Sequence, residues 1–218
     1  MRFVAFIVRR VIHSIFVLFG LSLVIFAISR IMPGDPARMA VGARAPQWVV
    51  DNLREQMHLD DPLYAQYYYW LRDALHGDFG ISLVTRRPVA DDIKDFFPAT
   101  FELALLAGLI NGAGGIFLGT VSARHKDKWV DNVVRVISYL GVVTPSFVFA
   151  ILFLLLFGMT LNWMPTMGRI STELSRPPIA TGLITIDALL AGDFAVFFDA
   201  LWHLIRPALA LAMGGLAQ

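Results

Sequence analysis

The sequence predicts an all-α polytopic membrane protein, and its composition and the spacing of its charges are the observations that predict it. Of 218 residues, 57% are apolar and only 16% are charged, whereas an average soluble domain carries about 25% charged residues. Several charge-free stretches approach the roughly 20 residues that a helix needs to cross a bilayer. The near balance of 18 basic and 17 acidic residues indicates no nucleic-acid partner. We therefore expect membrane lipid to surround most of the chain.

The first predicted span lies between Arg10 and Arg30, where 13 of the 19 residues are Val, Ile, Leu or Phe and none is charged. Arg9 and Arg10 precede it as the basic flank of a signal peptide would. The run is longer than a signal-peptide core, however, and Ile28-Ser29-Arg30-Ile31 is no small-x-small cleavage site. We expect residues 1–32 to form a cytoplasmic N-terminus and a retained first transmembrane helix.

The second predicted span covers about residues 100–123 and begins the transmembrane domain of residues 100–218. We expect Thr100 to cap this helix, with Glu102 in its first turn, where a negative charge suits the helix dipole. Small residues recur along one face of the helix and favour close helix packing in lipid. Packing within the chain is the plainer prediction for this face, and a gate or a subunit contact is the alternative. The small residues are Ala104, Gly108, Gly112, Gly115, Gly119 and Ala123.

The third predicted span covers about residues 136–161 and contains a proline near its middle. A proline in a helix frees a backbone carbonyl, so Thr144-Pro145-Ser146 predicts a static kink, or else a hinge or polar patch on a solute path. Asn111, a polar side chain deep in the second span, is expected to face a neighbouring helix or a water-filled path rather than lipid. The candidate residues of a translocation path or gate are therefore Asn111, Thr144, Pro145 and Ser146.

A fourth apolar run begins at Pro207, and the sequence stops at Gln218. We interpret it as a span that is cut off partway. A helix long enough to cross would have to begin upstream near Phe194 and carry three ionisable side chains. Before it, Asp187 and Asp193 each precede a short apolar stretch and are expected to cap helices.

Lysine and arginine near the span ends predict the orientation. Only basic residues precede the first span, and basic residues outnumber acidic ones in the loop at 124–135. Acidic residues outnumber basic ones from residue 30 to residue 99 and from residue 158 to residue 203. We expect the N-terminus and the short loop to face the cytoplasm and the two longer segments to face outside.

The outer segment of residues 33–99 is expected to contain short amphipathic helices. One begins at Pro46, a second has Asp61 at its N-cap and Gly77 just beyond its end, and a third begins at Pro88. The second carries a crowd of aromatic residues that predicts an interfacial cap on the helix ends, a partner-binding surface, or both. These aromatic residues are Tyr64, Tyr67, Tyr68, Tyr69 and Trp70.

No motif in the sequence indicates an enzyme. There is no GxxxxGK[ST] loop, nucleophile elbow or HExxH motif, and the absence of cysteine excludes thiol catalysis and disulfides. We predict no catalytic residue, no cofactor and no metal site, so a gated path would need a motor on another chain. A secondary carrier is one alternative, although no charge sits at mid-membrane. A membrane-anchored enzyme that uses acidic residues and His76 of the outer segment is another.

Several short motifs follow one another in an order and spacing more specific than any one of them. They are Arg9-Arg10, Pro33-Gly34-Asp35-Pro36, Leu59-Asp60-Asp61-Pro62-Leu63, Gln66-Tyr67, Trp70-Leu71, Gly77-Asp78-Phe79-Gly80 with Ser82, Pro88-Val89, Pro98-x-Thr100-x-Glu102-Leu103, Pro145-Ser146-Phe147 and Gly168-Arg169. Over essentially the whole chain, this pattern resembles the first permease subunit of bacterial dipeptide, oligopeptide and nickel ABC importers.

The resemblance implies the ABC type I importer transmembrane-domain fold and half of a translocation pore in the bacterial inner membrane. It implies a homologous second permease subunit, two ATP-binding cassette ATPase subunits and an extracytoplasmic solute-binding protein as partners. It also implies that Tyr67, Trp70, Asp78 and Phe79 touch the binding protein or shape the pore entrance. Peptides are the usual solutes of such systems, and nickel and glutathione are others.

Two features depart from the family pattern. The family's cytoplasmic coupling loop follows the fourth span, whereas this sequence ends at Gln218, so we expect a fragment or a truncated product. The family's glycine before Leu59 is His58 here. A position just beyond a helix often needs a positive φ, which histidine tolerates less well than glycine, so that helix end is expected to differ.

Overall fold

The computed structural model describes residues 2–31 and 34–215, and the described chain is built from helices, with one isolated antiparallel bridge between Ile81 and Pro88. It divides into two compact units, Met1–Ile93 (unit 1) and Lys94–Gln218 (unit 2). Pro33 of the second motif and Gln218, the predicted end of the fourth span, lie outside the described residues.

Unit 1 begins with a long apolar helix and continues with three short ones. These helices are α1 (Arg2–Ile31), α2 (Pro36–Val41), α3 (Gln47–Gln56) and α4 (Leu63–Leu75). The Asp35 side chain accepts from the Ala37 amide and caps α2, which packs against α3 around Val50. Helix α1 leaves most of its apolar side chains exposed, as expected of a helix whose solvent is lipid.

The two amphipathic helices predicted around α3 and α4 are confirmed, and so is Gly77, which lies just beyond α4 with a φ of +88°. Asp61 does not cap α4: the cap is Pro62, and the Asp61 carboxylate lies 3.0 Å from Nδ1 of His58. His58, two residues beyond the last residue of α3, lies in the left-handed region with a φ of +54°. The chain therefore keeps the glycine-like backbone and tolerates its strain in a histidine.

The third short helix and the second span form one helix, α5 (Val89–Arg124), which continues through Pro98. The prediction that Thr100 starts a helix is therefore wrong. Thr100 lies within α5, and its hydroxyl donates to the carbonyl of Phe96. A proline can stand inside a helix when its surroundings compensate for the lost bond, and here Pro98 packs close to Gly182.

The segment expected to form one kinked third span consists of two helices that meet at a sharp corner. Helix α6 (Trp129–Val143) stops before Thr144, and α7 (Ser146–Phe153) continues as a π-helical segment (Leu154–Thr160). The two arms are bent by 107°, which is far more than the kink expected from a single proline.

Two helices complete unit 2, α8 (Ile184–Leu190) and α9 (Phe194–Gly215). Helix α9 begins at Phe194, so the longer alternative for the fourth span is the one observed, and it also packs against α7. Helices α1, α5 and α9 are each long and apolar enough to cross a membrane, and the bent α6–α7 pair adds up to one more span. A small core joins α8 to α9 through Ile184, Ala188, Val196 and Ala200.

Candidate functional site

The corner between α6 and α7 is built by three of the predicted path residues. Thr144 has an extended backbone (φ −92°, ψ 120°) and donates its amide to Leu140 as the last bond of α6. Pro145 has no amide hydrogen and a φ near −57°, so it restricts Thr144 to this extended form and starts the next helix. The result is a polar corner, with Thr144 and Ser146 half-buried, between two apolar helices.

A cavity of about 800 Å³ opens between α5, α6 and the end of α9. Asn111 lines this cavity and is half-buried. Its amide lies so close to Gly215 that a Cβ on residue 215 would overlap it. The other polar side chains that line the cavity are those of Ser122, Arg135, Ser138 and Tyr139. The corner residues 144–146 do not line this cavity, so the structure does not bring the four predicted path residues into one site.

The small-residue face of α5 lies open, and its Gly112, Gly115 and Gly119 line the same cavity. At Gly108, Gly112, Gly115 and Gly119, no atom of the described chain outside α5 lies within 4 Å of the place where a Cβ would stand. The prediction that this face packs within the chain is therefore wrong for the described residues. The alternatives, a gate or a subunit contact, stay predictions.

A buried carboxylate closes the turn between α5 and α6 at one end of the cavity. Asp131 accepts from the Ser122 hydroxyl, from the Asp127 amide at 3.0 Å and from the Arg135 guanidinium at 2.8 Å. Its side chain is almost fully buried. These bonds hold the ends of the two cavity-lining helices together.

Three further carboxylates fix the irregular segment 161–183 to the helices around it. Glu102 accepts from Arg169 at 2.9 Å and from the amide and hydroxyl of Thr185. Its predicted role, a favourable charge in a first helical turn, is wrong, because Glu102 lies deep in α5 and is only 7% exposed. A buried carboxylate needs such partners to offset its desolvation.

Asp187 and Asp199 anchor the same segment from α8 and α9. Asp187 accepts from the Thr181 amide at 2.7 Å and the Gly182 amide at 3.0 Å, so it holds the preceding turn instead of capping a helix. Burial by itself raises the pKa of Asp187, but these hydrogen bonds outweigh it and keep the pKa below 3.8. Asp199 accepts from the amide and hydroxyl of Ser171 and lies 3.5 Å from His203, one helical turn away. The sequence prediction missed this pair.

In unit 1, Tyr67 and Trp70 pack against α1. The Tyr67 ring meets Phe26 edge-on at 5.3 Å and its hydroxyl lies 2.8 Å from Ser22, while Trp70 lies 6.1 Å from Phe26. These contacts fix α4 against the second half of α1, and the interfacial cap and the partner-binding surface both stay predictions. The most exposed residue of the aromatic crowd is Tyr64, at 79%.

Asp78 and Phe79 open an exposed loop of residues 76–88. The Asp78 carboxylate accepts from the Gly80 amide at 2.9 Å and fixes the start of the loop. The Ile81–Pro88 bridge closes it. Phe79, before the bridge, is 44% exposed, and Val84, at the tip, is 91% exposed. The structure thus separates the predicted outer surface into a packed pair on α4 and an exposed loop after it.

Comparisons with known proteins match almost the whole chain. Residues 3–104 match the N-terminal domain of binding-protein-dependent transport system membrane components, and residues 115–218 match the inner membrane component of such systems. The probable D,D-dipeptide transport system permease of Escherichia coli K12 is 44% identical over 91% of this chain. A dipeptide transport permease of Alkalihalophilus pseudofirmus is 34% identical over 95% of it, and a glutathione transport permease of Escherichia coli K12 is 33% identical over 85%.

The chain spans 58%, 62% and 61% of the length of these three relatives, respectively. The matches confirm the resemblance that the motifs predict, and they agree with the helical, membrane-spanning character of the described chain. The chain belongs to the family of inner-membrane permease components of binding-protein-dependent transport systems.

Proposed function

We propose that this chain is a membrane-spanning permease subunit of an ATP-driven importer of small peptides or related solutes, and that it forms half of the translocation pore. The observation that carries the proposal is family membership, since relatives 44% and 34% identical are permeases of dipeptide transport systems. The three long apolar helices and the bent pair support it. In this function the chain moves solute and is not itself an enzyme.

The partners in this proposal are a homologous second permease, two ATP-binding cassette ATPases and an extracytoplasmic solute-binding protein. The sequence offers no P-loop of its own, so the driving energy comes from the ATPases. We assign the open face of Gly112, Gly115 and Gly119 to the contact with the second permease. Small residues let two helices approach closely in lipid. No other helix among the described residues packs against these three glycines.

The path or gate in this proposal involves Asn111 and the corner Thr144–Ser146. Asn111 supports it because a half-buried amide beside a cavity of about 800 Å³ can bind polar solute or water. The corner supports it because a sharp break between packed helices is a place where two arms can change their angle. Alternating access would then be a movement of these helices driven by ATP binding and hydrolysis in the partners.

The surface that receives the binding protein is, in this proposal, the outer part of unit 1. Phe79 and the apolar tip of the 76–88 loop would make direct contact, and Asp78 would hold the loop in shape. Tyr67 and Trp70 would keep α4 seated on α1 beside it. Phe79→Ala is then expected to weaken binding-protein docking without loss of fold, whereas Tyr67→Ala is expected to loosen α4.

The proposed orientation puts the N-terminus and the 124–135 loop in the cytoplasm and the 76–88 loop outside. Because this sequence contains no cysteine, a single introduced cysteine is the one thiol of the sequence that a maleimide can label. A membrane-impermeant maleimide applied to intact cells is expected to label Val84→Cys and to leave Lys126→Cys unlabelled until the membrane is opened. Labelling of Lys126→Cys in intact cells would contradict the proposed orientation.

The direct test is purification of the N-terminally tagged chain from its native membrane, followed by mass spectrometry of what co-purifies. The proposal expects two P-loop ATPases and a homologous permease. Gly115→Leu is expected to remove the second permease, whereas Ala113→Leu, two residues away on an exposed part of α5, serves as a matched control. Recovery of the intact chain with no ATPase and no second permease would contradict the proposal.

A further inference from the structure

The turn between α5 and α6 carries positive charge that the chain itself does not neutralise. Residues 124–135 contain four basic and two acidic side chains. Both acidic side chains face the same partner, because Arg135 lies 2.8 Å from Asp131 and 3.9 Å from Asp127. The other three basic side chains are exposed and have no acidic partner within 4 Å among the described residues. They are Arg124, Lys126 and Lys128, so the turn presents a net positive surface.

An apolar stripe runs along α6 directly from this turn. Trp129, the first residue of α6, is 75% exposed. Large aliphatic side chains follow it at helical spacing on the same face, and all of them are exposed. The opposite face of α6 is turned toward the chain, since Asp131 and Gly141 are buried. The stripe is therefore largely uncovered by the described part of the chain. Its aliphatic members are Val133, Val136, Leu140 and Val143.

The composition of the stripe favours lipid over a partner helix. Contacts between helices in a membrane are enriched in small residues, which let two backbones approach closely, and the stripe contains none. The small residues of this part of the chain lie on α5, at Gly112, Gly115 and Gly119. A tryptophan beside basic side chains at the end of an apolar helix is typical of the border between hydrocarbon and headgroups.

The length of the stripe also fits the acyl chains of one leaflet. Helix α6 has 15 residues, so it is about 22 Å long. The hydrocarbon of one leaflet is about 15 Å thick, half of the whole core. Acyl chains that start beside Trp129 can therefore lie against large apolar side chains over their full depth.

We propose that the turn and the stripe together bind a phospholipid of net negative charge. The headgroup contacts Lys126 and Lys128, the acyl chains lie along Val133 and Val136, and the Trp129 ring lies at the level between the two. Charge selects the headgroup, because a zwitterionic one carries the same phosphate but also a cation that cancels most of the attraction. Such a site needs neither the proposed transport function nor a particular orientation, since headgroups border both sides of a bilayer.

The test is lipid binding to the full chain, delipidated in detergent and followed by native mass spectrometry. Phosphatidylglycerol and phosphatidylcholine with identical acyl chains are added in turn. The anionic lipid is expected to bind about tenfold more tightly, the order that two basic side chains at an anionic surface provide. Equal binding of the two lipids, or tighter binding of the choline lipid, would overturn the proposal.

A charge variant and a matched control test the headgroup contact. Lys126→Gln combined with Lys128→Gln is expected to bring the tenfold preference close to onefold, and it removes exposed side chains without acidic partners among the described residues. Arg176→Glu changes the net charge by the same two units in the segment that Glu102 holds near the other end of α5. It is expected to keep the preference. A preference unchanged by the lysine substitutions, or lost equally in the control, would overturn the proposal.

Substitution of Trp129 tests the acyl-chain contact. Trp129→Ala is expected to weaken binding of both lipids severalfold by the same factor, so that the preference for the anionic lipid stays, whereas Trp129→Phe keeps a ring and is expected to retain most of the binding. Unchanged binding in Trp129→Ala would overturn the proposal. So would a wild type without lipid preference whose lysine substitutions release a co-purifying protein, because the turn would then be a protein contact.

Discussion

The guanidinium of Arg169 donates to the carboxylate of Glu102 at 2.9 Å, and this ion pair joins residues that lie 67 positions apart. The same carboxylate accepts from the amide of Thr185 at 2.7 Å. One buried acidic group on α5 therefore fixes both the irregular segment 161–183 and the start of α8. This part of unit 2 is held by charge-assisted bonds as well as by apolar packing.

Glu102→Gln is expected to destabilise the protein by about 3 kcal/mol, because it leaves the half-buried Arg169 without a counter-ion. The measurement is the free energy of unfolding in mixed micelles. Glu173→Gln, which removes an exposed carboxylate from the same segment, is expected to change it by less than about 0.5 kcal/mol. Equal effects of the two substitutions would show that the pair contributes nothing specific.

Asp187 is expected to make stability depend on pH below about 4. Its pKa in the folded protein lies below its ordinary value of 3.8, because hydrogen bonds from Thr181 and Gly182 outweigh the effect of burial. Its stabilising contribution is therefore complete above pH 3.8 and is lost as the pH falls through the lower, folded value. Asp187→Asn is expected to be less stable than wild type at pH 7, with the difference shrinking toward pH 3.

The comparison uses thermal unfolding of the two proteins in the same detergent at each pH. Asp193→Asn, which keeps a capping side chain at the start of α9, is the matched control for loss of a nearby charge. A difference between wild type and Asp187→Asn that stays constant from pH 7 to pH 3 would contradict the assignment.

The strained end of α3 gives a sharper test of backbone energetics. His58 has a φ of +54° and stacks on the Tyr69 ring with centroids 4.1 Å apart. His58→Ala and His58→Gly both remove the ring, so their difference isolates the backbone. We expect the glycine variant to be more stable than the alanine variant by about 1 kcal/mol.

The control pair is Ala74→Gly, inside α4, where glycine is expected to be the less stable residue by about 1 kcal/mol. Thermal unfolding of the three variants and the wild type is compared under one set of conditions. If His58→Ala is as stable as His58→Gly or more stable, the left-handed backbone conformation at position 58 is contradicted.

Asp193 starts α9 with the side-chain bond that the sequence predicts. Its Oδ1 accepts from the Val196 amide at 3.1 Å, and loss of that acceptor leaves an unpaired amide at the helix end. Asp193→Ala is expected to cost about 1 kcal/mol, and Asp193→Ser to recover most of it. Equal destabilisation by alanine and serine, measured by unfolding in mixed micelles, would show that the cap does not matter.

Features determined by local chemistry could be predicted from the sequence. The long apolar helices, the cap at Asp193 and the positive φ of Gly77 all follow from residues within a turn or two. The continuation of α5 through Pro98 could not be predicted, because proline alone favours a helix start. In the folded chain, Pro98 lies close to Gly182, which is far away in the sequence.

The candidate site also has features that the sequence predicts and features that depend on the folded chain. Polar residues in apolar spans identify Asn111 and Thr144 as unusual, but their separation into a cavity and a corner depends on the 107° bend between α6 and α7. The role of Glu102 was missed because its partners, Arg169 and Thr185, are reached only after the chain has folded back. A carboxylate within an otherwise apolar helix was the signal that could have found it.

The measurement that tests the central claim most directly is uptake of a labelled dipeptide into proteoliposomes. They would contain this chain with the second permease and ATPases that co-purify with it, and the binding protein would be added outside. The account predicts uptake that requires ATP inside and this chain in the membrane, and that falls severalfold when Asn111→Leu removes the polar group at the cavity. Uptake that persists without ATP, or without this chain, would contradict it.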